Sequence, residues 1–171
     1  QMDTLTVTLG EVDVEAVARE TLQGAAEAAA DKGITLRAEC AGVHARAHRD
    51  MLATVLRNLV SNAVKFTLPG GSVTVAAQAS TKGIEIAVTD TGVGMPPGKI
   101  ADLFKLDRRT TTNGTAGERG SGLGLLLCRD LVARQGGELL ARSALDQGTT
   151  FRFTLEAVTK QDAVTVVGKD I

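Results

Sequence analysis

Apolar side chains recur along this chain with two periods, every second residue in some stretches and every third or fourth in others. The switches between them mark out the elements. Residues 4–9 alternate threonine with apolar side chains and predict a half-buried strand that Gly10 ends. Asp13 reads as an N-cap, and Val14, Val17, Ala18, Leu22, Ala25, Ala26 and Ala29 carry helical spacing to a stop at Lys32-Gly33. Residues 34–40 and 43–47 predict short strands parted by Ala41-Gly42. A helix over residues 50–66 follows. After the turn Pro69-Gly70-Gly71, residues 72–79 and 83–89 alternate around Thr81-Lys82-Gly83 and predict an antiparallel pair. Periodicity lapses from about Asp90 to Gly120, with room for one helical turn at residues 99–104. A connection of that length inside a compact domain is usually functional or mobile, so it reads as a lid. A helix from Ser121 to Gly136-Gly137 and strands at residues 138–144 and 149–155 complete the pattern, which packs most simply as an α+β sandwich with two layers. The expected sheet is mixed and mostly antiparallel, covered on one face by about three helices. Residues 1–156 form the expected domain, and residues 157–171 are a polar tail without an assignment.

Composition narrows the function. The chain has 171 residues, enough for one domain with a core of its own. Four Phe, with no Trp or Tyr, leave the core to aliphatic side chains and argue against base stacking on single-stranded nucleic acid. A formal charge of -1 removes any broad electrostatic case for nucleic acid or a membrane surface. Cys40 and Cys128 are far apart and fit no metal-ligand spacing, which predicts buried apolar thiols in a reducing compartment. With no apolar run long enough to span a bilayer and no signal peptide, the expected location is cytoplasmic. Gln1 ahead of Met2 reads as the start of an excised piece, whose parent may be membrane-anchored.

Three clusters carry candidate chemistry. On the helix over residues 50–66, Asn58, Asn62 and Lys65 fall within about 60° of one another, and the apolar stripe of Leu52, Leu56, Leu59 and Ala63 lies roughly 120° away. Such a stripe is either a solvated face or a wall that offers amide oxygens to a metal ion and an ammonium to a phosphate. Asp90-Thr91-Gly92-Val93-Gly94 puts a carboxylate at the end of an apolar strand, as a turn or as an acceptor for an exocyclic amine. Gly120-Ser121-Gly122-Leu123-Gly124 runs into a helix and reads as a flexible loop or an anion site. It is neither a Rossmann fingerprint nor a P-loop.

In this order the clusters resemble the histidine-kinase branch of the ATP-binding superfamily that also holds gyrase, heat-shock protein 90 and the MutL repair proteins. Asn58-x3-Asn62-Ala63-x-Lys65-Phe66-Thr67 is similar to its N box, Asp90-x-Gly92-x-Gly94 to its G1 box, Phe104 to its F box, Gly120-x-Gly122-x-Gly124 to its G2 box and Gly148-Thr149 to its last glycine motif. The resemblance implies the Bergerat ATP-binding fold, a sandwich with a left-handed crossover and a long mobile ATP lid. It further implies that Asn62 coordinates Mg²⁺, Asp90 binds the adenine amine, Lys65 approaches the phosphates and Asn58 supports the phosphate and metal end. Gly120, Gly122 and Gly124 would shape the hinge, beside Ser121 and Leu123, with Thr149 near the adenine. Lys105 and Arg119 flank the lid as candidates for the γ-phosphate or as ordinary solvated charges.

Asn58 separates the relatives. The superfamily's ATPases place there a Glu that serves as general base for water, whereas an amide takes no proton near neutral pH. Slow hydrolysis is expected. His44 and His48 do not match the family's phosphoacceptor motif and read as structural or surface residues. The implied partners are a histidine-bearing dimerisation domain of the same full-length chain and, through it, a response regulator, with this piece monomeric on its own. The alternatives are a regulatory module without catalysis, and a protein-serine kinase or ATPase of the same superfamily.

Overall fold

The computed structural model of the protein describes residues 7–105, 114–116 and 123–159. Seven strands among these are β1 (Gly10–Asp13), β2 (Thr35–Glu39), β3 (His44–Ala47), β4 (Ser72–Ser80), β5 (Gly83–Asp90), β6 (Leu139–Ser143) and β7 (Thr149–Leu155). Five of them form one sheet in the order β2-β4-β5-β7-β6, and β1 pairs with β3 in a small second sheet. The β2–β4 pair is parallel; β4–β5, β5–β7 and β6–β7 are antiparallel. Alternation decides the faces: Val73, Val75, Ile84, Ile86, Val88, Phe151 and Phe153 are buried, while Gln78, Thr89 and Arg152 face solvent.

The buried face is covered by three long helices, α1 (Val14–Lys32), α2 (Arg49–Phe66) and α4 (Gly124–Arg134), and the six-residue α3 (Pro97–Asp102) lies near β6. Asp13 caps α1 by accepting from the Ala16 N–H, and Gly33, in the left-handed region at φ 73°, ends it. The middle of the helical layer is α2, whose Leu52, Val55, Leu56, Leu59 and Val60 are at most 1% exposed. Each such side chain contributes about 1.5–3 kcal/mol on leaving water, so this stripe holds α2 on the sheet.

Most expected elements form within a residue or two of their predicted ends. The first strand is a correction: residues 7–9 are not in a strand, and Gly10, expected to end one, begins β1. Its partner explains the shift. β3 is only four residues long, and its register pairs Gly10 with Ala47 and Asp13 with His44, so the strand runs directly into its own helix cap. Residues 1–6 lie outside the described set. The short helix, by contrast, starts earlier than expected, with Pro96 as N-cap and Pro97 at its first position, where a missing N–H costs nothing. The chain after β7 bridges back to β3 through Arg46 and Glu156, whose side chains pair at 3.0 Å.

Candidate functional site

Asn58, Asn62 and Lys65 are all partly buried on α2, while Arg57 and Ser61 beside them are exposed. The polar stripe is therefore not a freely solvated face. Asn58 Nδ2 donates to the Thr54 carbonyl at 2.9 Å, which fixes the amide and turns Oδ1 outward. That oxygen meets the first turn of α4: a Cβ built on Gly124 would lie 2.9 Å from it. A side chain at Gly124 would have to displace the Asn58 amide oxygen.

The last residue of β5, Asp90, is paired with Val73 on one side and Thr149 on the other, and is 6% exposed. Its Oδ1 accepts from the Gly92 N–H at 2.9 Å and the Thr149 N–H at 3.2 Å. Oδ2 accepts from no described residue. Burial pushes the carboxyl above its ordinary value, and the two backbone N–H groups pull it part of the way back. An oriented carboxylate with one open oxygen in a dry place is an acceptor for an amine donor.

The turn after Asp90 is keyed to α2. Val93 N–H donates to the Phe66 carbonyl at 3.0 Å, and a side chain on Gly92 would strike the same carbonyl. On the other side, side chains on Gly94 and Gly148 would strike the carbonyls of Ala144 and Asp90, and both residues have positive φ, 65° and 78°. Only glycine satisfies both conditions. Ser143 ties these turns together. Its hydroxyl accepts from the Met95 N–H at 2.8 Å and donates to the Gly148 carbonyl at 2.9 Å. With its one hydrogen so used, Ser143 receives the hydroxyl of Thr149 at 2.8 Å.

The structure thus places Asn58, Asn62 and Lys65 along the C-terminal half of α2, with Gly124 against Asn58, and sets Asp90, Gly92, Gly94 and Thr149 at the adjoining ends of β5 and β7, joined to the end of α2 through the Phe66 carbonyl. Phe104 is half-buried against the core, and Lys105 forms an ion pair with Asp102 at 2.9 Å. Leu123, just ahead of α4, is exposed. Arg119, Gly120, Ser121 and Gly122 lie outside the described residues, as do residues 106–113 and 117–118 of the expected lid. A cavity of about 890 Å³ runs between α1 and α2, lined by Gly24, Ala25, Ala28, Val60 and Val64 among others. Of the polar stripe it touches only Lys65, so its volume is that of an interhelical groove and does not measure the Asp90 site.

The sequence profile described as "Histidine kinase-, DNA gyrase B-, and HSP90-like ATPase" matches residues 47–159, which include both α2 and the Asp90 turn. The chain belongs to this family. The histidine protein kinase DivJ of Caulobacter vibrioides is 40% identical over 146 residues, 78% of this chain and 23% of its own length. The adaptive-response sensory kinase SasA of Synechococcus elongatus is 37% identical over 107 residues, 62% of this chain and 27% of its own length. The chain spans about a quarter of the length of these curated relatives. Among solved structures, the catalytic domain of histidine kinase ThkA is similar with a TM-score of 0.76 at 22% identity, over 90% of this chain and all of that one. Full-length ShkA, solved in complex with AMPPNP, reaches 0.71 at 29% identity, over 90% of this chain and 32% of its own. The mixed sheet and its helical layer are thus those of a histidine-kinase catalytic domain.

Several residues around this end of α2 and the Asp90 turn carry no signal in the sequence. Thr115 donates through its N–H and hydroxyl to the Lys65 carbonyl at 2.9 and 3.1 Å, and Lys32 Nζ reaches the same oxygen at 2.8 Å. These donors satisfy carbonyls that the end of α2 leaves open. Ser143 and Thr115 are single hydroxyls in turns, and only their partners in space distinguish them. No cluster of three or more His, Cys, Asp or Glu suited to a metal occurs among the described residues. A metal here would therefore need ligands from elsewhere, such as an amide oxygen and phosphate. No described helix is long and apolar enough to cross a membrane.

Proposed function

We propose that this chain binds Mg-ATP and donates the γ-phosphoryl group to a histidine on a separate dimerisation domain, within two-component signalling in the cytoplasm. The observation that carries the reading is Asp90, buried, held through Oδ1 by two backbone N–H groups, with Oδ2 open beside the end of α2. Oδ2 accepts the adenine amine, and Thr149, fixed by Ser143, lines the same end. Asn62 would offer its amide oxygen to Mg²⁺ brought in with the nucleotide. When bound, the ion neutralises charge on the phosphates. Lys65 faces the phosphate chain, Asn58 and the first turn of α4 close the metal end, and Lys105 and Arg119 serve the γ-phosphate.

The chemistry is an in-line displacement. The bond between the γ-phosphorus and the bridging oxygen breaks, ADP leaves, and a bond forms to an imidazole nitrogen whose proton passes to an acidic neighbour on the acceptor domain. This chain contributes position and charge rather than a base. Asn58 supports that division of labour, because an amide at this place activates no water. The product passes from the acceptor histidine to a response regulator.

The test is to mix the chain with γ-labelled ATP and the histidine-bearing domain of its full-length protein. Acid-labile, base-stable phosphate on that domain is the expected result. Acid-stable label would point to serine phosphorylation, free phosphate alone to an ATPase, and bound ATP without chemistry to a regulatory module; each of these would overturn the proposal.

A further inference from the structure

Arg129 stands on the solvent side of α4, where a charged side chain is ordinarily just solvated. Here it is engaged twice with one residue. Its Nη1 donates to the Phe104 carbonyl at 2.7 Å, and its guanidinium carbon lies 5.9 Å from the centroid of the Phe104 ring. The bond is short and charge-assisted, and the second contact falls within cation–π range. The two residues are 25 positions apart.

What gives the contact meaning is where α4 is anchored. Cys128, next to Arg129, is fully buried, with its thiol against the Val55 carbonyl of α2 at 3.7 Å. At the start of the same helix, Gly124 abuts Asn58. The helix is thus keyed to α2 at two points, and Arg129 extends the chain of contacts to Phe104 and to Lys105 after it. Phe104 packs its apolar body against the core, so the guanidinium grips a ring that is already half fixed.

We infer that Arg129 is a positioning residue for the phosphate end of the site, holding Phe104 and Lys105 in register with Asn58 and Asn62 by way of α4. The inference rests on the ATP-binding reading. It predicts a split between the two ends of the nucleotide: contacts to phosphate depend on Arg129, and contacts to adenine at Asp90, at the end of β5, do not.

The experiment compares wild type with Arg129→Met, which keeps the length and removes donors and charge, and Arg129→Lys, which keeps a cation and a donor. Mg-ATP and adenosine are each titrated by competition against a fluorescent nucleotide, with a thermal melt of every protein. For Arg129→Met the expected result is Mg-ATP affinity roughly three- to tenfold weaker and adenosine affinity unchanged, a modest effect for an exposed charge. Arg129→Lys should recover most of the loss. Equal Mg-ATP affinity in wild type and Arg129→Met would overturn the inference, as would equal losses for Mg-ATP and adenosine, since those mark a packing role only. Should Arg129→Met fail to fold, Arg129→Gln, which removes the charge and keeps a polar side chain, is titrated with the two ligands in its place, and the same outcomes decide. A wild-type protein that binds neither ligand would instead overturn the ATP-binding reading itself.

Discussion

Gly124 meets Asn58 where α4 begins against α2: a Cβ at Gly124 would stand 2.9 Å from Asn58 Oδ1. The contact joins the residue proposed to decide between phosphoryl acceptors to the glycine that ends the G2-like motif. Gly124→Ala must push the amide aside, and its Nδ2 is held by the Thr54 carbonyl. Alanine is also the better helix former, by up to about 1 kcal/mol within a helix. The expected outcome is a melting temperature equal to or above that of wild type, together with Mg-ATP affinity about tenfold weaker, if one hydrogen-bond-sized interaction is lost. Unchanged affinity in a calorimetric titration would show that the contact is incidental.

Asp90→Asn should separate stability from binding in the same sense. Burial raises the Asp90 carboxyl above its ordinary 3.8, so the folded chain holds this proton more tightly than the unfolded chain does. Charging Asp90 therefore subtracts stability as pH rises from the unfolded value through the folded one, and the whole cost is present at neutral pH. The amide removes that cost and keeps an oxygen for the Gly92 and Thr149 N–H groups. The variant should melt no lower than wild type at pH 7 and bind ATP about ten- to a hundredfold more weakly, from a lost charge-assisted bond of about 1.5–3 kcal/mol. In wild type, ATP affinity should also decline on acidification, from a pH above that at which an ordinary aspartate titrates. A flat acid profile in wild type, or equal ATP affinity in the variant, would count against Asp90 as the adenine acceptor.

The periodic parts of the chain were legible because their physics is local. The stripe Leu52, Leu56, Leu59 and Ala63 and the alternation of β4 and β5 record a single buried face each, and the structure buries those faces. The glycines after Asp90 were legible as more than a flexible turn, since close backbone approach requires glycine and Gly92 and Gly94 each face a carbonyl oxygen that excludes a side chain. Strand β1 was not legible. Its position depends on a four-residue partner 31 to 37 positions away, and Gly10 looks like a breaker until Ala47 is opposite it. Arg129, Thr115 and Ser143 were invisible for a related reason: each acts through a backbone carbonyl or N–H far along the chain. Backbone groups carry no sequence code.

Gln135 is a buried amide that the apolar pattern does not anticipate, at 1% exposure. Its Oε1 accepts from the His48 N–H at 3.0 Å and its Nε2 donates to the Leu131 carbonyl at 3.1 Å, which ties the end of α4 to the start of α2. His48, in turn, caps α2 by accepting from the Met51 N–H through Nδ1. Gln135→Leu keeps the volume but leaves the His48 N–H without its acceptor. A cost of about 1–3 kcal/mol is expected, or a fall in melting temperature of roughly 3–10 °C. Nucleotide affinity measured well below the transition should not change, and a large loss of affinity would mean that Gln135 shapes the site as well as the fold.

Both cysteines are free and buried, and burial pushes the Cys128 thiol up to about 12 and raises that of Cys40. At pH 8 only about one Cys128 in ten thousand would be thiolate, the reactive form. Iodoacetamide should leave the folded protein unlabelled and modify both residues in urea, which makes labelling a measure of global opening. Rapid modification of either thiol under native conditions would contradict the packing of α4 on α2 or of Cys40 beneath β4.

Asn62→Ala tests the metal end. No described cluster of carboxylates or histidines is suited to a metal, so an ion held here depends on an amide oxygen and on the nucleotide's own phosphates. That arrangement predicts linkage: wild type should bind ATP more tightly with Mg²⁺ than in a chelator, and the variant should bind with nearly the same affinity in both. Adenosine, which brings no phosphate to share the ion, should be indifferent to Mg²⁺ in both proteins. The side chain is partly buried on α2 with its apolar neighbours Ala63 and Leu59 undisturbed, so the melting temperature should change by only about 2 °C. Should the variant keep the full Mg²⁺ response in ATP titrations, the ion is held by some other residue, and the polar stripe of α2 serves the phosphates through Lys65 and Asn58 alone.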